Sequence, residues 1–122
     1  MPTICHFEIP ADNVDRAKKF YSELFDWKIE QYPEMEYWLI STKDKKGKKG
    51  LGGGLMKRVK AQQQITVHID VPSIDKYAKK VEENGGKILM PKTSVPTIGW
   101  FAVCLDTENN VFELWEDDKK AK

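Results

Sequence analysis

The chain has 122 residues, of which 40% are hydrophobic and 11% aromatic, enough for one packed core and too many for a disordered chain. Its 20 basic and 19 acidic residues leave a net charge of +1, which gives no general attraction to nucleic acid or anionic membranes. No apolar run could cross a bilayer, and the first residues lack the pattern of a signal peptide. We therefore expect a soluble, cytoplasmic protein that binds neither nucleic acid nor membrane.

The first half of the chain predicts a strand, a helix and three further strands. Residues 3–9 alternate as a strand, and Pro10 should lie just outside it, where no ladder hydrogen bond is lost. Asp12 or Asn13 can cap a helix that runs to about residue 26, with apolar residues at helical spacing. Three strands are then predicted near 27–32, 36–42 and 51–57.

The second half predicts the same order of elements. A strand near 64–71 precedes a helix near 73–83, which Ser73 can cap. Asn84-Gly85-Gly86 tolerates the left-handed dihedrals that end a helix. Three strands are again predicted, near 87–90, 99–105 and 110–116.

The two halves also share short motifs. His6-Phe7-Glu8-Ile9-Pro10 reappears 62 residues later as His68-Ile69-Asp70-Val71-Pro72. Trp38 matches Trp100 in the same way. We therefore predict an α+β fold in which two tandem β-α-β-β-β modules, about 1–60 and about 61–122, form a single domain over residues 1–122.

Each module has one sheet face under its helix and a second face directed elsewhere. We predict that the sheets curve into a shared cup lined by these second faces. The first strands then direct alternate side chains into the cup, namely Ile4, His6 and Glu8, and Thr66, His68 and Asp70. In the last strand, Glu113 shares a face with Trp115, and Phe112 and Leu114 lie on the opposite face.

These faces carry the residues that are best suited to chemistry. His6 and His68 are the only histidines, and Glu113 is a carboxylate within an apolar strand. Two imidazoles and a carboxylate could bind a divalent metal such as Zn, Ni, Fe or Mn. The alternative is that the histidines are hydrogen-bonded wall residues. Strand aromatics that face the cup could stack on a planar ligand, the candidates being Trp38, Trp100 and Trp115.

The two cysteines, Cys5 and Cys104, both lie in apolar, strand-like runs. A disulfide scaffold requires more cysteines, and a structural zinc site requires close pairs of them. We expect two buried or half-buried free thiols.

Three segments resemble the vicinal oxygen chelate superfamily, which contains glyoxalases, bleomycin resistance proteins and extradiol dioxygenases. They are residues 6–27, Asn84-Gly85-Gly86-Lys87 and residues 106–115. The resemblance covers nearly the whole chain and is strongest to the small glyoxalase-like members. It implies the paired-module fold, a small-molecule ligand and a homodimer.

The resemblance also implies positions for metal ligands. His6 occupies the first-strand ligand position and Glu113 the last-strand carboxylate position. The second histidine position falls on Thr66, with His68 two residues further along the same face. The fourth position falls on Gly54, so one carboxylate ligand is absent.

Two functions follow from the resemblance. The first is a metal-dependent lyase of the glyoxalase type, with His6 and Glu113 as ligands, His68 or a water completing the shell, and Glu113 as the catalytic proton carrier. The second is a metal-free protein of the bleomycin resistance type, which sequesters a ligand such as a drug or a planar aromatic. Thr66 and Gly54, in two of the ligand positions, favour the second.

Overall fold

The computed structural model describes all 122 residues, which form eight strands and two helices. In chain order they are β1 Thr3–Ala11, α1 Val14–Phe25, β2 Lys28–Gln31, β3 Trp38–Ser41, β4 Gly53–Lys57, β5 Thr66–Asp70, α2 Ile74–Glu83, β6 Lys87–Val95, β7 Gly99–Leu105 and β8 Val111–Asp117. The predicted α+β class, with two successive β-α-β-β-β modules, is confirmed. Neither helix is long and apolar enough to cross a membrane.

The chain divides into two compact units. The first unit is His6–Ile65, in which the strands pair in the order β2-β3-β4-β1. The second unit is Thr66–Lys122 together with Met1–Cys5, and its strands pair in the order β5-β8-β7-β6. In each unit the first strand of the module pairs in parallel with the last, and the other pairs are antiparallel.

Each unit has its own hydrophobic core between its helix and one face of its sheet, which we call the helix face. In the first unit the buried core residues are Ile9, Ala11, Ile29, Ile40 and Leu55. In the second unit they are Val71, Ile74, Ala102, Cys104 and Leu114. Side chains alternate along a strand, so the strand residues that lie between these core residues point to the opposite face of the sheet, which we call the far face. His6 and Glu8 are on the far face of the first unit, and Thr66, His68 and Glu113 are on that of the second.

Both helices begin at side-chain caps that the sequence predicts. The Asn13 side chain accepts a hydrogen bond from Arg16 N, and Ser73 Oγ accepts one from Lys76 N. At the end of α2, Gly85 N–H donates to Glu82 O and Gly86 N–H to Val81 O, with Gly85 at φ +92°. This bonding pattern ends a helix with a left-handed glycine, as the sequence predicts.

Replacing Ser73 by alanine tests the cap of α2. We expect Ser73→Ala to lower the free energy of unfolding by about 1 kcal/mol, because the N–H of Lys76 loses its acceptor. Urea denaturation measures the change. Ser22→Ala within α1 is the matched control and should change stability by less than about 0.5 kcal/mol, since alanine favours a helix interior. Equal effects of the two substitutions would contradict the cap.

The position of Pro10 differs from the prediction. It lies within β1 and is paired with Met56 of β4. Phe7 N–H donates to Gly52 O, and Ala11 O accepts from Arg58 N, so the odd residues of β1 bond to β4. The nitrogen of Pro10 therefore points away from β4, and the strand continues without losing a hydrogen bond of that ladder.

The register of the strands also corrects the motif repeat. Ile9 pairs with Leu55 and Ile69 with Leu114, so β1 and β5 correspond at an offset of 60 residues rather than 62. The structural counterpart of His6 is thus Thr66, and that of Glu8 is His68. A shift of two residues along a strand keeps every side chain on the same face of the sheet. The motif repeat therefore gives the correct face for each residue but matches it with the wrong residue of the other unit. Trp38 pairs with Leu55, whereas Ala102 pairs with Leu114, so Trp38 corresponds to Ala102 and not to Trp100.

Candidate functional site

In the second unit, a histidine and a glutamate meet on the far face. His68 in β5 is directly beside Glu113 in the parallel strand β8. His68 Nε2 lies 3.0 Å from Glu113 Oε2, and Thr66 Oγ1 donates to the same oxygen at 3.2 Å. The side chains of His68 and Glu113 expose only 9% and 12% of their surface. A buried carboxylate requires partners of this kind, because removing its charge from water is costly.

Two further side chains border this pair. The ring of Trp115 stacks against that of His68, with centroids 6.5 Å apart and an interplanar angle of 27°. Cys5 Sγ, at the start of the chain, donates to the backbone oxygen of His68 at 3.6 Å. Trp115 therefore lies against one face of the imidazole, and Cys5 bonds to the backbone of the strand that carries it.

In the first unit, a tyrosine joins the two polar residues of β1. Tyr37 O–H donates to Glu8 Oε2 at 2.9 Å, and His6 Nε2 lies 2.7 Å from the same hydroxyl oxygen. Because the phenol gives its only proton to the carboxylate, it accepts from His6, and this assigns the proton of His6 to Nε2. The far face of the first unit therefore carries a chain of hydrogen bonds from imidazole to phenol to carboxylate.

Glycine in β4 makes room for this tyrosine. Gly54 pairs with Glu8 in β1, which is the place that Glu113 takes beside His68 in the second unit. A Cβ atom on Gly54 would overlap the hydroxyl and ring of Tyr37. In the first unit, the phenol of Tyr37 thus lies over Gly54. In the second unit, the equivalent strand position carries Glu113.

The predicted site residues fall on two different faces. His6, Thr66, His68, Glu113 and Trp115 lie on the far faces of their units, as predicted. Trp38 and Trp100 differ, because they pack against the helix-face cores of the first and second units. Each lies two residues from a core side chain of its strand, and alternation puts it on the same face as that side chain.

Trp100 also has structural contacts of its own. Its indole N–H donates to Asp118 Oδ2 at 3.0 Å, and this hydrogen bond lowers the pKa of the Asp118 carboxyl. Lys92 Nζ lies 4.6 Å from the centroid of its ring. These contacts account for Trp100 as a packed residue of the helix face.

With the fold and both polar clusters defined, comparison with known proteins identifies the family. The family model described as Glyoxalase/Bleomycin resistance protein/Dioxygenase superfamily matches residues 3–114. The chain belongs to this superfamily. The sequence resemblance to the vicinal oxygen chelate proteins is thereby confirmed.

Solved structures of other proteins have the same fold. A hypothetical protein, BH1468, from Bacillus halodurans C-125 is 15% identical, with a TM-score of 0.68, and the match covers 99% of this chain and 98% of that one. A superfamily member from Vibrio splendidus 12B01 is 13% identical at a TM-score of 0.68, covering 96% and 100%. Methylmalonyl-CoA epimerase from Streptomyces coelicolor is 13% identical at 0.67, covering 98% and 97%. No curated protein matches the chain.

Sequence reasoning missed the part that Tyr37 plays in this glyoxalase-superfamily protein. Tyr37 is not among the site residues that the sequence predicts, yet it lies just before β3 and reaches across β4 to β1. The available signal is Gly54, because a glycine within a strand often marks the close approach of another group.

The two cysteines are free thiols, as predicted, and Cys104 is fully buried. Burial raises the pKa of Cys104 from 9.0 to about 11, and the charge of Glu113 adds to the effect. In the unfolded chain the thiol ionises near pH 9.0, so it loses its proton before the folded thiol does as the pH rises. The folded state is then progressively disfavoured between about pH 9 and 11.

We expect this difference to lower the free energy of unfolding by about 2–3 kcal/mol as the pH rises from 9 to 11. Well below this range the thiol is protonated in both states and contributes no pH dependence. Urea denaturation at several pH values measures the slope. Cys104→Ala should remove this part of the slope. An unchanged slope in Cys104→Ala would contradict the raised pKa.

Proposed function

We propose that this superfamily member binds a small oxygenated molecule and acts on it as a metal-dependent lyase or isomerase of the glyoxalase type. The ligands of the metal in this proposal are His68 and Glu113 of the second unit. The observation that carries the proposal is the buried contact of 3.0 Å between His68 Nε2 and Glu113 Oε2.

The donor atoms of the His68–Glu113 pair fit a divalent ion. An imidazole nitrogen and a carboxylate oxygen are donors that Zn, Ni, Fe and Mn accept. His68 Nε2 and Glu113 Oε2, 3.0 Å apart, are close enough for both to bind one ion. Thr66 holds the same carboxylate oxygen, which is the kind of outer contact that orients a metal ligand.

A divalent ion bound there would act as a Lewis acid that polarises an oxygen atom of the substrate. The chain's own contribution to a lyase or isomerase reaction is proton transfer by Glu113. Its carboxylate would take a proton from the substrate carbon that lies next to the oxygenated carbon. It would then return a proton to the oxygenated carbon itself. Thr66, by donating to Oε2, keeps the carboxylate in one orientation while the proton moves.

The second candidate function is metal-free binding, as in a protein that sequesters a drug or planar aromatic. The hydrogen bonds of the first unit favour it. His6 Nε2 donates to Tyr37, and Gly54 replaces a carboxylate, so His6 could bind a metal through Nε2 only by giving up that hydrogen bond. Trp115, on the far face of the second unit, is then the aromatic suited to stacking on the ligand.

Elemental analysis separates the two functions. We expect protein loaded with Zn, Ni, Fe or Mn and then dialysed to retain one ion per chain, and we expect His68→Ala to lose it. An unrelated polar change, Gln62→Ala in the exposed segment between β4 and β5, is the control and should retain the ion. If the wild-type protein retained no ion, the metal-dependent function would be ruled out and metal-free binding would remain.

We further propose that the two modules work together as one domain, that the protein is a homodimer, and that it is cytoplasmic. Support for the location comes from the two free thiols, which are typical of a reducing compartment.

A relative of the same fold, the S. coelicolor methylmalonyl-CoA epimerase, is described in complex with 2-nitronate-propionyl-CoA, an oxygenated ligand.

A further inference from the structure

The far face of the second unit continues from the His68–Glu113 pair into an apolar surface. Val103 of β7 pairs with Glu113 of β8, and Phe101 pairs with Trp115. Val103 and Phe101 are half-buried, and neither belongs to the core cluster of this unit. Because neighbouring strands are about 5 Å apart, the apolar surface begins directly beside the two atoms that could hold a metal.

The edge strand β6 extends this surface. Met90 pairs with Val103 and is 45% exposed, and Thr93 pairs with Phe101. The row of side chains that starts at Glu113 therefore runs through Val103 to Met90, across two strand spacings or about 10 Å. An aromatic ring joined to a short oxygenated group is of this length.

The charges beside this surface are mainly negative. Asp70 pairs with Trp115, and Asp117 Oδ1 accepts a hydrogen bond from Trp115 Nε1 at 2.7 Å. Burial raises the pKa of the Cys5 thiol, and the charges of Asp70 and Asp117 raise it further. Strand alternation also places Lys87 on the far face. It is exposed at the first residue of β6, three strand spacings or about 14 Å from β5.

We propose that the substrate of this site carries an uncharged aromatic group, which lies on Val103 and Phe101 while its oxygenated carbons face His68 and Glu113. An anionic group on the ring would lose its water against apolar side chains, and no cation lies beside them to compensate. A ring is favoured over an alkyl chain because Phe101 and Trp115 are neighbours on this face, and aromatic rings attract one another.

This inference rests on the proposed function, because it takes the His68–Glu113 pair as the place of the oxygenated carbons. What it adds is the class of substrate. Molecules that carry a phosphate or carboxylate at the end remote from the metal are excluded, and uncharged aromatic ketols or diols are favoured.

Titration with two ketols, followed by nuclear magnetic resonance, tests the apolar surface. 2-Hydroxyacetophenone carries a phenyl ring, and hydroxyacetone carries a methyl group in its place. We expect the phenyl compound to bind at least about 10-fold more tightly, because the ring buries more apolar area. Phe101→Ala should reduce this ratio by at least about 3-fold. Phe20→Ala is the matched control and should keep the ratio, since Phe20 is 56% exposed on α1 of the first unit.

A charged analogue tests the absence of a cation. 4-(Hydroxyacetyl)benzoate carries a carboxylate on the ring, at the end remote from the oxygenated carbons. We expect it to bind at least about 10-fold more weakly than 2-hydroxyacetophenone. Met90→Lys places a cation at that end of the row and should recover at least about 5-fold of the loss, with little change for the uncharged ketol. Val59→Lys, at a position that is 83% exposed in the first unit, is the control and should recover nothing.

The titrations distinguish this inference from the function on which it rests. They are made with Zn²⁺ and again with metal-free protein, and the ratio of the two ketols should be the same in both, because the ring does not touch the metal. A protein that binds no metal but keeps the ratio would overturn the metal-dependent function and leave the substrate class standing. A ratio near one, tighter binding of the carboxylate compound, or no binding of any of the three in either form would overturn the substrate class, whatever the metal measurement gives.

Discussion

Gly54→Ala should lower the free energy of unfolding by about 3 kcal/mol, a large effect for the addition of one methyl group. The new Cβ would overlap the hydroxyl and ring of Tyr37. Tyr37 cannot move aside without breaking its hydrogen bonds to Glu8 and His6, each worth about 1 kcal/mol. Strain in the packing and loss of these bonds therefore act in the same direction.

Gly52→Ala is the matched control for this prediction. It adds the same methyl group two residues away, where the nearest atom is Ile40 O at 3.6 Å, an ordinary contact. We expect its stability to stay within about 1 kcal/mol of the wild type in urea denaturation. Similar values for the two variants would mean that Tyr37 does not occupy the space above Gly54.

A double-mutant cycle ties the effect to the tyrosine. In a Tyr37→Ala background, Gly54→Ala should cost at least about 1.5 kcal/mol less than it does in the wild type, because the ring that it overlaps is gone. Additive losses would show that the methyl group acts through some other neighbour, and the assignment of Tyr37 to this space would fail.

The sequence predicts the elements of the fold well because they depend on short-range signals. Caps at Asn13 and Ser73, the glycines after α2 and the alternation of apolar residues each act within a few positions, and each is confirmed. Pro10 departs from expectation because its effect depends on which neighbouring strand its nitrogen faces. That direction follows from strand pairing, which short-range patterns do not contain.

The sequence predicts only part of the site, because short-range patterns contain the alternation of side chains along a strand but not the pairing of strands. Strand alternation puts His6, His68 and Glu113 on the far faces of their units, and the structure agrees. The motif repeat fails to give their partners, because a slip of two residues preserves the face while changing the register. Tyr37 reaches Glu8 across an intervening strand, a contact between residues 29 positions apart.

The two units thus use one strand arrangement for two kinds of polar cluster. Where β8 places a carboxylate beside His68, β4 places a glycine beside Glu8, and a phenol enters from another part of the chain. The second unit therefore offers a pair of metal-ligating atoms, and the first offers a hydrogen-bonded imidazole. This asymmetry makes Glu113 the residue on which the metal-dependent function depends most.

Glu113→Gln should weaken the binding of a divalent metal by at least about 100-fold, as measured by isothermal titration with Zn²⁺. Changes to outer contacts of metal ligands cost about 10–100-fold, so the loss of a ligand's charge should cost more. Glutamine keeps the shape of the side chain and an oxygen for Thr66, so the fold should persist. What disappears is the negative charge that draws the cation to His68.

Two further variants complete the test of Glu113, one that removes a hydrogen bond to its carboxylate and one that removes a charge elsewhere. Thr66→Val removes a hydrogen bond to the carboxylate and should weaken binding by about 10-fold. Glu83→Gln removes an equal charge from the exposed end of α2 and should leave binding unchanged. Urea denaturation of the three variants should show that each is folded under the conditions of the titration. If Glu113→Gln bound Zn²⁺ as the wild type does, the metal would lie elsewhere, and Glu113 would be a structural partner of His68.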